Sequence, residues 1–262
     1  MPDRPDSHSW NDLLAQADQA LDAEPTLASL VREAVLEHSD FGSALAHRVG
    51  QALADTDEQR RALTRRFAAI HLDTPQLAES AWFDLQAIVS RDPAFDTALE
   101  VFLFSKGYLA LQAYRIGHQL QREGERLLAM FIQARCNERL SIDINPASRI
   151  GRGIMLDHGT GIVIGETAVV GDDVSILQGV TLGGTGKESG DRHPKVRSGV
   201  MIGAGAKILG NIEIGEGAKV GAGSVVLHPV EPHTTVVGNP ARPVGKPKHA
   251  QPALDMDQSF DE

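Results

Sequence analysis

Two rhythms of apolar residues divide the chain near residue 140. In the first part, Leu27, Leu30, Val31, Ala34 and Val35 fall at i, i+3, i+4, i+7 and i+8, one face of a helix. Phe95, Leu99, Phe102 and Leu103 repeat that spacing. Thr74-Pro75 and Asp92-Pro93 each set a capping side chain before a proline, which predicts a helix start at each. Glycine is sparse here. Residues 1–140 are therefore predicted to form an all-helical domain with short connections.

After residue 140 the period becomes six. Ile144, Ile150 and Leu156 form one run. A two-residue slip, placed at Ile162-Val163, leads to Ile164, Val170, Ile176 and Leu182. A longer interruption precedes Val196, Ile202, Ile208, Ile214, Val220 and Val226. Glycine often follows the aliphatic residue, and small residues such as Ala168, Ala206, Ala218 and Ser224 recur four positions after it. Period six would smear an apolar stripe around a helix, and an isolated strand repeats every two residues. It fits a parallel β-helix in which each hexad makes one flat side and its turn, three sides make a coil, and the aliphatic side chains stack inward. The fold class is thus α+β, a helical domain followed by a β-helix over 141–245.

The longer interruption, residues 183–194, is too polar for a buried wall and is expected to project as a loop. Pro229, Pro232, Pro240 and Pro243 are expected to end the coil after Val226. The remaining 246–262 reads as a flexible, extended tail.

Charge and cysteine content narrow the classes. The net charge of −10 disfavours nucleic acid and anionic membrane as partners. Six of the seven lysines lie in the second half (Lys187, Lys195, Lys207, Lys219, Lys246 and Lys248), so a small polyanion remains a candidate ligand. No apolar run approaches the roughly 20 residues of a membrane helix. The polar MPDRPDSHSW start has no signal-peptide core, so a cytoplasmic location is expected. Cys136 is the only cysteine, which excludes an intrachain disulfide and a cysteine-rich zinc site.

The stretches DINPASRIGRGIMLDHGTGIVIGETAVVGDDVSILQGVTLGGTGKESGDRHPKVR and VMIGAGAKILGNIEIG resemble the serine acetyltransferase family. SRDPAFD and KGYLALQAYRIGH do so as well, and the resemblance spans roughly residues 80 to 257. Hexads alone are shared by many acyltransferases; LDHGTG with GGTGKESGDRHPK is more specific. The resemblance implies a left-handed β-helix behind the helical domain. It also implies a homo-oligomer, a trimer or dimer of trimers, with active sites between neighbouring helices of one trimer. The implied reaction moves an acetyl group from acetyl-CoA to L-serine, the first step of cysteine biosynthesis, without a metal.

A serine hydroxyl needs a base to accept its proton during attack, and histidine suits that task. His158, beside Asp157 at a break in the repeat, is the candidate base. Asp143 matches the family residue that orients it, and 15 residues between them fit adjacent coils. Asp157 and Asp92 correspond to residues at the serine site, although Asp92 also reads as a helix cap. Arg192 and His193 correspond to the groups that hold the serine carboxylate. Gly184, Ala204, Lys219 and Ala222 correspond to the acetyl-CoA groove, where Lys219 would meet a phosphate and backbone amides a developing oxyanion. Cys136 lies in no activating motif.

Three rivals stay open. One is a homoserine or sugar O-acetyltransferase on the same scaffold. Another is a metal hydratase, although the spacing of His158, His193, His228 and His233 suggests no ligand set. The third is a non-catalytic binding scaffold. The family binds O-acetylserine sulfhydrylase through a C-terminal isoleucine; this chain ends Asp261-Glu262, which counts against that complex. L-cysteine is the feedback inhibitor that the resemblance implies.

Overall fold

The structure is a computed structural model and describes residues 7–186 and 189–259. Lys187 and the terminal Asp261-Glu262, singled out above, lie outside the described residues.

Eight helices come first: α1 (Ser7–Ala23), α2 (Ala28–Val31), α3 (Phe41–Leu53), α4 (Asp57–Asp73), α5 (Gln76–Arg91), α6 (Ala98–Phe104), α7 (Lys106–Glu123) and α8 (Arg126–Leu140). A 3₁₀ turn, Pro25–Leu27, precedes α2, and a π turn, Arg32–Leu36, follows it. The apolar face of that stretch is inward, with Val31, Ala34 and Val35 buried. No helix among the described residues is long and apolar enough to cross a membrane.

A helix does start at Thr74-Pro75, since α5 begins at Gln76 and the Leu77 N–H donates to Thr74 O, but without the expected side-chain cap; the start expected at Asp92-Pro93 is corrected by the structure. Thr74 ends α4, its N–H donating to Ile70 O at 2.8 Å, and no side chain caps α5. Asp92 ends α5, its N–H donating to Ile88 O at 2.9 Å, while its Oδ1 accepts the Ala94 N–H at 2.9 Å. The next helix starts at Ala98 behind Thr97, whose hydroxyl accepts the Glu100 N–H while Glu100 accepts the Thr97 N–H. Phe95 therefore packs from a loop and not from a helix.

The second half is a three-sided parallel β-helix. Its first coil holds β1 (Ile142–Ile144), β2 (Arg149–Ile150) and β3 (Met155–Leu156). The second holds β4 (Ile162–Ile164), β5 (Val169–Val170) and β6 (Ser175–Ile176). The third holds β7 (Thr181–Gly183), β8 (Lys195–Val196) and β9 (Met201–Ile202). The fourth holds β10 (Lys207–Leu209), β11 (Glu213–Ile214) and β12 (Lys219–Val220). A fifth follows with β13 (Val225–Val226) and β14 (Thr235–Gly238), to which β15 (Ala241–Gly245) adds antiparallel. The walls run β1-β4-β7-β10-β13, β2-β5-β8-β11 and β3-β6-β9-β12-β14-β15. The hexad aliphatics stack in register, as in Ile164 on Leu182 and Ile176 on Ile202, and form one buried core.

Two expectations for this half change. The coil does not end at Val226: Val230 bridges to Ile214 and Val236 pairs with Val220. Pro229 and Pro232 sit between the pairing positions, where no ladder N–H is lost. The tail is not free either. Pro252–Asp255 forms a helical turn, α9, with Ala253 buried against Leu177 and Met201. Its few apolar residues find an apolar patch that the β-helix leaves beside α5.

Buried polar contacts fasten the helices to the first coil. Asp84 on α5 is fully buried and accepts Arg115 Nε at 2.8 Å, Gln112 Nε2 at 3.0 Å and the Ile154 N–H at 3.0 Å. Arg115 on α7 also donates to Gly151 O at 2.6 Å, and Tyr114 to Ser148 O at 2.7 Å. Arg91, at the end of α5, donates to Gly153 O at 2.9 Å and Ser175 Oγ at 3.2 Å. These contacts fix where Asp92, the next residue, stands.

Candidate active site

The corner between β3 and β4 is longer than those stacked on it. Gly179 donates to Thr160 O at 2.8 Å, Gly205 to Gln178 O at 2.8 Å and Gly223 to Ala204 O at 2.7 Å. Thr160, Gln178, Ala204 and Ala222 thus form one column along an edge of the prism. Asp157 and Leu177 are likewise equivalent, since their N–H groups reach Ile176 O and Ile202 O. Two residues separate Asp157 from Thr160, whereas Gln178 follows Leu177 directly. The slip is therefore the pair His158-Gly159, and not Ile162-Val163, which belong to β4. The insertion pushes His158 out of the wall, with φ +55° and a side chain 74% exposed. A left-handed backbone at a non-glycine residue is uncommon and marks a position held by its surroundings.

A cleft of about 340 Å³ opens beside this corner, lined by Asp92, Lys106, Gly107, Leu156, Asp157 and His158. Helix α7 reaches it because Gly107 lies on β3: a Cβ there would stand 2.0 Å from Leu156 O. His158 Nε2 is 3.8 Å from Asp157 Oδ1. Burial pushes the Asp157 carboxyl above the usual carboxylate range; His158 opposes this and Asp92 adds to it.

The other expected residues stand elsewhere in the single chain. Asp143, in β1, accepts Gln133 Nε2 at 2.7 Å on Oδ1. It lies one coil below Val163, beyond the inserted corner, and no hydrogen bond or ion pair joins it to His158 among the described residues. Arg192 and His193 lie on a different edge, between β7 and β8. Arg192 donates to Glu166 Oε2 at 2.6 Å, and buried His193 packs against Thr167. Gly184 sits at the root of that loop, against Arg192. Ala204 and Ala222 stand on the His158 edge, with Ala222 exposed. Lys219 is buried in β12 and donates to Ser259 O at 2.6 Å, under the tail. Cys136 is buried, its thiol pushed up to about 12, chiefly by burial. No group of three His, Cys, Asp or Glu side chains among the described residues is placed to hold a metal ion.

Comparison with known proteins gives this arrangement its context. Residues 9–113 match the serine acetyltransferase N-terminal family, and residues 193–228 match the bacterial transferase hexapeptide family of six repeats. The serine acetyltransferase of Salmonella typhimurium is 55% identical over 251 residues, 96% of this chain and 92% of that protein. This chain belongs to the serine acetyltransferase family. The crystal structure of the Vibrio cholerae serine acetyltransferase superposes with a TM-score of 0.95 at 52% identity, covering 97% of this chain and 98% of that one. The Neisseria gonorrhoeae serine acetyltransferase in complex with serine matches with a TM-score of 0.87 at 49% identity, covering 90% and 97%. The β-helix is accordingly the left-handed form of the hexapeptide proteins.

Within this serine acetyltransferase fold, sequence reasoning missed Lys106, Thr167 and Arg91. Lys106 lines the cleft and its Nζ donates to the Thr160 hydroxyl, pinning the inserted corner. It is the one lysine of the helical half, a signal available in the sequence. Arg91 and Thr167 had no such signal, since an arginine beside Asp92 and a threonine in a hexad look routine until their partners are known.

Proposed function

We propose that this protein transfers the acetyl group of acetyl-CoA to the hydroxyl of L-serine, giving O-acetyl-L-serine and CoA. The observation that carries this reading is the cleft where Asp92, Asp157 and His158 converge beside the column of Thr160, Gln178, Ala204 and Ala222. Two carboxylates suit an ammonium group, and an exposed imidazole beside them suits a proton acceptor. His158 takes the proton as the serine oxygen bonds to the thioester carbonyl carbon; the carbon–sulfur bond breaks and the thiolate recovers the proton. No covalent enzyme intermediate is needed.

The column Thr160, Gln178, Ala204 and Ala222 fits the acetyl-CoA arm. Adjacent coils are about 4.8 Å apart, so from Thr160 to Ala222 the column runs roughly 14 Å. The small side chains of Thr160, Ala204 and Ala222 leave backbone amides open to an extended ligand and to a developing oxyanion. Lys219 and Gly184 belong to the same reading, Lys219 once the tail moves from its ammonium.

Arg192 and His193 serve the serine carboxylate from a neighbouring subunit. Their place on another edge of the prism supports a site shared between helices of a trimer, with Asp143 orienting His158 in that assembly. Residues 1–140 then join subunits, 141–245 carry the chemistry, and L-cysteine competes for the serine subsite.

The test is thiol release from acetyl-CoA by the purified full chain with L-serine, L-homoserine or simple sugars. Release with L-serine alone is expected. Release only with homoserine or a sugar assigns another acceptor to the same scaffold, and silence with every acceptor contradicts the reading.

A further inference from the structure

Thr167, in the corner between β4 and β5, meets His193 from the loop that enters β8. The Thr167 N–H donates to His193 Nδ1 at 3.2 Å, and the Thr167 hydroxyl stands 2.8 Å from the same nitrogen. An amide N–H only donates, so Nδ1 must accept and carries no proton. The hydroxyl already accepts the N–H groups of Arg192 at 3.0 Å and of His193 at 3.1 Å. Both its lone pairs are used, and its own proton is left for Nδ1. Asp191 also feels this hydroxyl, but its carboxylate accepts Lys195 Nζ at 2.6 Å. The amide sets the tautomer, and the hydroxyl ties the Arg192 and His193 backbone to the same corner, so the ring is held in place only with the threonine side chain.

A neutral ring with a bare Nδ1 carries its proton on Nε2. Its surroundings favour the neutral form. Burial, Arg192 and Lys195 hold the imidazole below its ordinary range against the pull of Glu166 and Asp191. The ring is also packed closely on one side. It lies over the Gly165 backbone, where a Cβ would come within 2.0 Å of Cδ2 and 2.1 Å of Nε2.

We infer that Thr167 is a positioning residue that locks His193 as a neutral Nε2–H donor, and thereby sets the selection for an amino-acid carboxylate at this edge. The inference rests on the proposed serine reading for its ligand, but not for the position of the proton. A donor held in one orientation loses little freedom when a carboxylate binds. A ring free to exchange tautomers would present an acceptor lone pair to the carboxylate for part of the time.

Neutron diffraction from crystals of the full chain exchanged into D₂O reads the proton directly, without substrate. A deuteron on His193 Nε2, a bare Nδ1 and the Thr167 deuteron aimed at Nδ1 are expected; a deuteron on Nδ1 overturns the inference. Kinetics read the consequence. Thr167→Val should raise KM for L-serine about five- to tenfold with KM for acetyl-CoA unchanged, and Thr167→Ser should stay within about twofold of the native protein. Equal KM values for the native and Thr167→Val proteins overturn the positioning role even with the deuteron on Nε2. Loss of folding in Thr167→Val leaves Thr167→Ser and the diffraction to decide. Absence of serine-dependent turnover in the native protein would refute the proposed function and leave the diffraction result standing.

Discussion

Asp157 and His158 are neighbours in sequence and both line the cleft, yet one is largely covered beside the wall and the other is thrust outward by a two-residue insertion. Their side chains meet with Nε2 3.8 Å from Oδ1 at the mouth of the cleft. The pairing governs how the site should respond to pH. Burial first, and Asp92 second, raise the Asp157 pKa. Only the ionised carboxylate attracts an ammonium group, so kcat/KM for L-serine should fall as pH drops through a value above the ordinary carboxylate range. Asp92→Asn removes one of the raising charges, so the acidic limb should move to lower pH. A pH–rate profile of both proteins checks this; an unmoved limb in Asp92→Asn contradicts it.

The Asp84–Arg115 pair predicts a large loss of stability on truncation. Asp84 is fully buried and ties α5 to α7 and to the first coil. Asp84→Ala leaves the Arg115 guanidinium buried without its partner, which costs about 3–5 kcal/mol. Chemical denaturation measures it, and KM for L-serine should rise as well because α5 ends at Asp92.

Acid should destabilise the helical half through His71. Both ring nitrogens are buried without a hydrogen-bond partner among the described residues, and burial lowers the pKa from 6.5 to about 4 despite Asp40. The unfolded chain binds this proton more readily than the folded one. The contribution is fully present above about pH 6.5 and is lost as pH falls toward 4, amounting to roughly 3 kcal/mol. His71→Leu should flatten that part of the stability–pH curve, as read from melting temperatures at fixed protein concentration between pH 7.5 and 4.5.

The β-helix was legible because its period is written in side chains that must stack: every hexad aliphatic from Ile144 to Val226 lies in the core. Ile150 is the one only partly buried. The fifth coil was less legible, since Val230 and Val236 fall four and six residues after their predecessors among prolines. Asp92-Pro93 misled because the same dipeptide that opens a helix also follows one; the Thr97–Glu100 capping box lay five residues on. Ala253 and Met256 pack only because the β-helix offers them a patch, and no local pattern announces that. The candidate site was half legible. Asp92, Asp157 and His158 meet in one chain, whereas Asp143, Arg192 and His193 stand apart from that cleft, as residues of a site shared by subunits would.

Lys106 offers a check on the inserted corner. Its ammonium donates to the Thr160 hydroxyl, so Lys106→Met should loosen the turn that carries His158. We expect kcat to fall about three- to tenfold with the melting temperature little changed, because one exposed hydrogen bond is lost. Equal kcat in both proteins would remove Lys106 from the site.

The most direct measurement of the central claim is the L-serine-dependent turnover of His158→Ala, made on protein whose oligomer and melting temperature match the native chain. His158 is exposed and packs against little, so the fold should survive. Loss of the proton acceptor should lower kcat about 10²- to 10⁴-fold. A folded His158→Ala protein that turns over within a few-fold of the native rate would contradict the account.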